Sequence, residues 1–323
     1  VGAVVGDRYR IERIVGTGAM GAIYEASCGS ERFAIKALPD AIGGGGAEAE
    51  ERRARFLREA AVCETIRHPH VVPVLAHGID RSHDVPYFVM PLLDGEDMAK
   101  LLDRVGHLDP GVAGALFVQA CDGLTAVHAR GVVHRDVKPS NLFLVRDGDR
   151  TILKVTDFGL AKVYGDDLGT LALTATGRFM GTPHYVSPEQ AVSAKHVDAR
   201  GDVFSLAMSL YHALSGAPAF SYAKSFMKLV LEITSREAPP LEDTAPWLPP
   251  GLVRVVHGAL LRDPAARCPS AGELSLALES VLGIDVARRP VGWDALRPPA
   301  VDPARSSRER TELPLEWADV LRF

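Results

Sequence analysis

Cysteine is scarce in this chain: four in 323 residues, at positions 28, 63, 121 and 268, with no C-x-x-C pair among them. That excludes a disulfide framework and fits a reducing compartment. Long apolar runs are missing too. With no stretch of about 18 consecutive apolar residues, nothing reads as a bilayer-crossing segment, and no secretory signal opens the chain. The first residue is Val, which reads as a processed or excised piece. Neither sign of charge dominates, since 36 Lys and Arg stand against 41 Asp and Glu for a formal net charge of -5. No basic stripe is present, so nucleic acid is not an expected partner. No internal repeat is found. What remains is ordinary globular composition, 47% hydrophobic and 24% charged, with length for one two-lobed domain or two small ones.

Residues 7 to 38 alternate apolar and polar positions around a glycine-rich turn and predict a strand meander. After GGGG at 43–46, EERRARFLREAAVCETIRH predicts a helix. Phe56, Glu59, Cys63 and Ile66 share one face of it, which sets a carboxylate inside an apolar stripe. Two short strands follow, in VVPVLAHG and YFVMPLL, and from about residue 96 helical periodicity takes over. Gly131 is placed to stop one of these helices. A hairpin, NLFLV and ILKVTD, interrupts them. The expectation is an α+β fold with two lobes: a small β-rich lobe with one helix at about 7–91 and a larger, mainly helical lobe at 92–283. Residues 284–323 are rich in Pro and Arg with weak periodicity and read as a tail dispensable for catalysis, although Trp293, Leu313 and Trp317 could dock on the larger lobe.

The chemistry concentrates in a few places. VVHRDVKPSN at 132–141 crowds His134, Arg135, Asp136, Lys138 and Asn141 between apolar shoulders, which is costly unless the groups are partnered or serve a ligand. Gly16, Gly18 and Gly21 in GTGAMG lie between two strand patterns and would let backbone N–H groups approach a phosphate. A plain glycine hairpin explains them equally well. Lys36 in FAIKAL sits in an apolar strand, and Glu59 on the helix offers it an anion. Asp157 in VTDFG, at a strand end, with Asn141 on the neighbouring loop, is an oxygen pair suited to Mg²⁺. Alone, Asp157 would read as a turn residue.

In this order and spacing the motifs resemble those of the eukaryotic-type protein kinases, in particular the bacterial serine/threonine branch. The resemblance covers residues 9 to 282 and includes G-x-G-x-x-G, A-I-K, H-R-D-x-K-P-x-N, D-F-G, S-P-E in place of the usual A-P-E, and D-P-x-x-R. It implies a bilobal kinase fold and transfer of the γ-phosphoryl group of ATP to Ser or Thr hydroxyls of proteins, with Mg²⁺, or alternatively Mn²⁺, as the metal. Asp136 would orient and deprotonate the acceptor hydroxyl, and Lys138 would stabilise the transferring phosphoryl. Lys36 would bind the α- and β-phosphates with Glu59 fixing it, and Asn141 and Asp157 would hold the metal. The nucleotide would lie against Gly16, Thr17, Gly18, Ala19, Gly21, Ile23, Ala34, Met90, Pro91, Leu93 and Leu144. His134 and Phe158 would be packing residues. Thr174 and Thr176 resemble the activation-loop threonines that bacterial kinases autophosphorylate, with Arg135 as the phosphate's partner; a homodimer would allow this in trans. The expected location is the cytoplasm, with a membrane anchor in a longer parent left open.

Blander readings are kept for other residues. HPH at 68–70 matches the family's turn rather than a zinc site. Asp202 should hold the catalytic loop's backbone, and Glu189 and Arg267 should form a structural ion pair. Two alternatives compete with the active kinase. A pseudokinase would lack the lysine or one of the two aspartates, all of which are present. A small-molecule phosphotransferase would lack the peptide-platform segment at 181–189.

Overall fold

The computed structural model describes residues 2–18, 21–38, 47–157, 183–193, 197–299, 313–314 and 316–320. The first lobe is built on a sheet with strand order β1-β2-β3-β4-β6-β5. Its strands are β1 (Val4–Val5), β2 (Tyr9–Gly18), β3 (Gly21–Cys28), β4 (Glu31–Ala37), β5 (Ala76–Asp80) and β6 (Val85–Pro91). All neighbouring pairs are antiparallel, as expected of the short hairpin connections that join every pair but β4–β6. The expected meander is therefore present, although VVPVL contributes only an isolated bridge, Val71 to Val155. Gly21 cannot be replaced, because its φ is +139° and a Cβ there would lie 2.0 Å from the Ala37 carbonyl oxygen.

Helix α1 (Ala47–Glu64) covers this sheet. Its inward stripe is Phe56, Ala60 and Cys63, packed with Ile66, Val74 and Phe88; the rings of Phe56 and Phe88 lie 4.8 Å apart. Glu59 is not in that stripe. Its side chain is 43% exposed and pairs with Arg55 of the same helix at 3.6 Å. At 100° per residue the stripe passes through the small Ala60, leaving Glu59 on its border.

The larger lobe is organised by α3 (Pro110–His128) and α5 (Ala199–Ser215), whose residues are mostly buried in one continuous core. By length and composition α3 could cross a membrane, but it is the central packing helix here. Asp109 caps its start by accepting from the N–H groups of Gly111 and Val112. Around these two helices stand α2 (Met98–Val105), α4 (Pro188–Val192), α6 (Phe226–Ser235), α7 (Pro250–Ala259) and α8 (Ala271–Leu282). A second antiparallel sheet, ordered β10-β9-β8-β7, lies on α3. It comprises β7 (Gly95–Asp97), β8 (Leu142–Asp147), β9 (Arg150–Val155) and β10 (Val291–Gly292).

β10 belongs to the segment expected to be a tail. Residues after 283 instead form α9 (Ile284–Ala287), β10 and, further on, α10 (Trp317–Val320). Ala287, Val291, Leu296, Trp317 and Val320 all join the larger core. Trp317 and Val320 occupy the space left by Gly258 on α7, where a Cβ would lie 2.5 Å from Val320. Among the described residues, the larger core thus includes side chains beyond the expected boundary at 283.

Candidate active site

The loop between α3 and β8 is held from beneath by Asp202 on α5. Its Oδ1 accepts the N–H of Arg135, and its Oδ2 accepts the N–H of His134 and Nε2–H of His128, all at 2.7 Å. Arg135 has φ +63°, a left-handed backbone that the two adjacent bonds stabilise. Its carbonyl accepts from Gln190 Nε2 at 2.9 Å. His134 is fully buried. It donates Nε2–H to the Thr156 carbonyl at 2.8 Å and accepts the N–H of Asp136 on Nδ1 at 3.2 Å. One imidazole therefore ties the loop to the strand end that carries Asp157.

Asp136, Lys138 and Asn141 converge. Asp136 Oδ2 accepts from Lys138 Nζ at 2.9 Å and from Asn141 Nδ2 at 3.0 Å. Asn141 also donates to the Asp136 carbonyl at 2.7 Å, so its amide nitrogen faces Asp136 and its amide oxygen is turned away. Thr156 N–H bonds the Asn141 carbonyl at 2.9 Å and brings the next residue, Asp157, alongside. Asp157 is left-handed at φ +59°. The Asn141 amide oxygen and Asp157 carboxylate are hard donors of the kind Mg²⁺ takes, and His134 has both ring nitrogens engaged elsewhere. The donor set fits that ion.

Lys36 bridges the lobes. Its Nζ lies 2.9 Å from Asp157 Oδ1, not on Glu59. The expected Lys36–Glu59 pair is corrected: the helix turns Glu59 toward Arg55, and Asp157 supplies the anion Lys36 needs. On the nucleotide side, Gly16 and Thr17 of β2 pair with Ile23 and Ala22 of β3, and Gly18 pairs with Gly21. A Cβ at Gly16 would meet nothing within 4 Å, so open space lies over this strand. Ala34 pairs with Met90 across β4 and β6, Pro91 ends β6, and Leu93 follows on the connection to β7, all half-buried except Ala34. Leu144 is corrected. It is fully buried in the larger core with Leu142, and strand alternation turns the half-buried Phe143 to the other face. Ala19, Phe158, Thr174, Thr176 and Thr182 lie outside the described residues.

Some site-building residues were not foreseen. Gln190 was missed, although S-x-x-Q is a capping signal: Ser187 caps α4 through Gln190 N–H while Gln190 reaches Arg135. His128 was missed because a histidine in the last turn of an apolar helix carries no motif. The expected ion pair is present. Arg267 is fully buried, contacts both Glu189 oxygens at 2.8 and 3.0 Å, and donates to the carbonyls of Arg200, Leu261 and Arg262. Further along α5, His212 Nδ1 bonds the Tyr185 hydroxyl at 2.8 Å; burial pushes the tyrosine hydroxyl's pKa up and lowers that of the His212 ring to about 4.

The chain is similar to known serine/threonine protein kinases. Serine/threonine-protein kinase Pkn2 of Myxococcus xanthus is 35% identical over 85% of this chain and 32% of its own length. Serine/threonine-protein kinase PknA of Mycobacterium tuberculosis is 32% identical over 93% of this chain and 66% of its own. The crystal structure of the Mycobacterium tuberculosis PknI kinase domain superposes with a TM-score of 0.64 at 27% identity, covering 86% of this chain and 98% of that one. The chain spans 32–41% of the length of several curated relatives. Residues 9–275 match the protein kinase domain, and the chain belongs to that family.

Proposed function

We propose that this chain is the catalytic domain of a serine/threonine protein kinase that transfers the γ-phosphoryl group of ATP to protein hydroxyls. The observation that carries the reading is the convergence of Lys138 and Asn141 on Asp136 beside the Lys36–Asp157 pair. Asp136 takes the proton of the acceptor hydroxyl as its oxygen bonds to the γ-phosphorus. The bond from that phosphorus to the β-phosphate oxygen breaks, and ADP leaves. A base so positioned contributes about 10²–10⁴-fold. Lys138 offsets the negative charge on the transferring group, and Lys36 meets the α- and β-phosphates. Asn141 and Asp157 would hold Mg²⁺, which supplies charge neutralisation to the phosphates.

Activation is part of the proposal: Thr174 and Thr176 receive phosphate from a second copy of the chain, and Arg135 is the cation that answers it. The absence of disulfides among the described cysteines supports work in a reducing compartment. The test is Asp157→Asn in purified protein with Mg-ATP and a generic Ser/Thr substrate. The variant keeps a cooperative melt and loses about 10³-fold in turnover, equivalent to about 4 kcal/mol. Turnover near that of the parent protein overturns the reading. Mass spectrometry of dephosphorylated protein after incubation with Mg-ATP tests the threonines directly.

A further inference from the structure

The segment after Gly283 does more than fill the core. β9 has one edge on β8, and on its other edge Thr151, Leu153 and Val155 point their backbone groups outward. Leu153 is served by Gln119 Oε1 at 2.8 Å and His70 Nδ1 at 2.9 Å, and Val155 by His70 and Val72. Thr151 is paired by Val291 of β10. From there the chain runs across the sheet. The backbone N–H of Trp293 donates to the Asp149 carbonyl at 3.2 Å, in the turn between β8 and β9. The Arg146 guanidinium of β8 stands over the Trp293 ring, 4.5 Å from its centre. The Leu296 carbonyl accepts from Arg104 at 3.0 Å, and Arg104 also binds Glu96 of β7. Residues 291–296 thus touch β9, β8 and, through Arg104, β7. β8 starts directly after Asn141, β9 ends two residues before Asp157, and β7 follows the connection expected to hold the nucleotide base.

We infer that this segment is a strap that positions the nucleotide–metal end of the site, with Trp293 its principal residue, acting through the β8–β9 hairpin on Asn141 and Asp157. The inference rests on the kinase reading above. Trp293 touches no reacting atom, so its effect should fall on nucleotide affinity rather than on the protein substrate. A cation–π contact at an exposed arginine is worth about a threefold effect.

The experiment is calorimetric titration of the full chain with Mg-ADP. Trp293→Ala and Arg146→Ala each weaken binding about threefold, the double variant is no weaker than either single one, and Trp293→Phe restores the parent affinity. KM for the protein substrate stays constant. Unchanged Mg-ADP affinity in the single variants, effects that multiply in the double variant, or failure of Trp293→Phe to rescue would each overturn the strap. Should Trp293→Ala not fold, Arg146→Ala decides alone, because Arg146 is exposed. If the parent chain binds Mg-ADP but phosphorylates no protein, the kinase reading fails while the strap stands. If it does not bind Mg-ADP, both fail.

Discussion

Asp202→Asn is the substitution that most directly tests how the catalytic loop is held. The side chain is 1% exposed, and its two oxygens accept three hydrogen bonds. Asparagine keeps the shape but turns one acceptor into a donor. With its oxygen toward His134 and His128, its NH₂ opposes the N–H of Arg135; the reverse orientation opposes two donors. The first arrangement is the cheaper. It leaves a buried N–H unpaired, at about 1–3 kcal/mol, and reduces two charge-assisted bonds to neutral ones, at about 1 kcal/mol each. The sum is on the order of 3–5 kcal/mol. Holding Arg135 left-handed stores on the order of 1–3 kcal/mol that this bond helps to offset. Arg135 should therefore relax, and the peptide leading to Asp136 turns with it.

A displacement of about 1 Å at the base costs about 10²-fold in rate. The expected result is a kcat about 100-fold lower and a KM for Mg-ATP little changed, because Lys36 and Asp157 stand on other elements. Steady-state phosphoryl transfer and a thermal melt on the same preparation provide the check. A kcat within about threefold of the parent's, in a variant with a cooperative melt, would refute the reasoning, as would a KM that shifts as much as kcat.

Two further predictions concern stability. Burial lowers the pKa of His212 and His257 to about 4, so both remain neutral in the fold while unfolded histidines take a proton near 6.5. The unfolded chain then binds more protons between those values, and stability falls as pH drops from about 6.5 toward 4, by on the order of 2 kcal/mol per ring at pH 5. A urea midpoint that is the same at pH 7 and pH 5 would contradict this. Ending the chain at Gly283 removes Leu296 and Trp317 from the core, forfeiting about 3–6 kcal/mol of burial, and uncovers the Thr151 edge of β9. The shortened chain should melt about 10 °C lower and aggregate; a melt within about 3 °C of the full chain's would restore the reading of 284–323 as a free tail.

What was legible in the sequence follows its physical cause. The catalytic loop could be read because its residues act within ten positions of one another, so spacing carries the geometry. Asp202 could be placed because a charge inside an apolar helix must be partnered, and Arg267 because the family resemblance implies its pairing with Glu189; both are partnered. Glu59 was misjudged by one position on a helical wheel. The bulky Phe56 and Cys63 drew attention, whereas the buried face passes through Ala60, whose small side chain gives a weak signal. Leu144 was misjudged by one position on a strand, where a single step reverses the face.

The segment after 283 read as a tail, with docking only as an alternative, for a different reason. Periodicity detects elements that bury a face along their own length, and this segment buries single residues at separate places. Trp293 lies against Arg146 of β8, and Trp317 donates its backbone N–H to the Ala266 carbonyl while its ring fits over Gly258. Each anchor meets a surface made by residues far away in sequence, so nothing nearby reveals it. The glycine does carry a trace, since an apolar helix that leaves Gly258 without a side chain weakens itself unless something packs there. Such a gap, read together with Trp293 and Trp317, which the sequence already marks as residues that could dock, argues for docking. Two tryptophans beyond residue 283 are costly to leave in water, and their burial repays ordering a backbone that has little helical or strand preference of its own. Composition alone reports the flexibility of such a segment in the unfolded chain, while its fate in the fold is set by the few side chains that find a pocket.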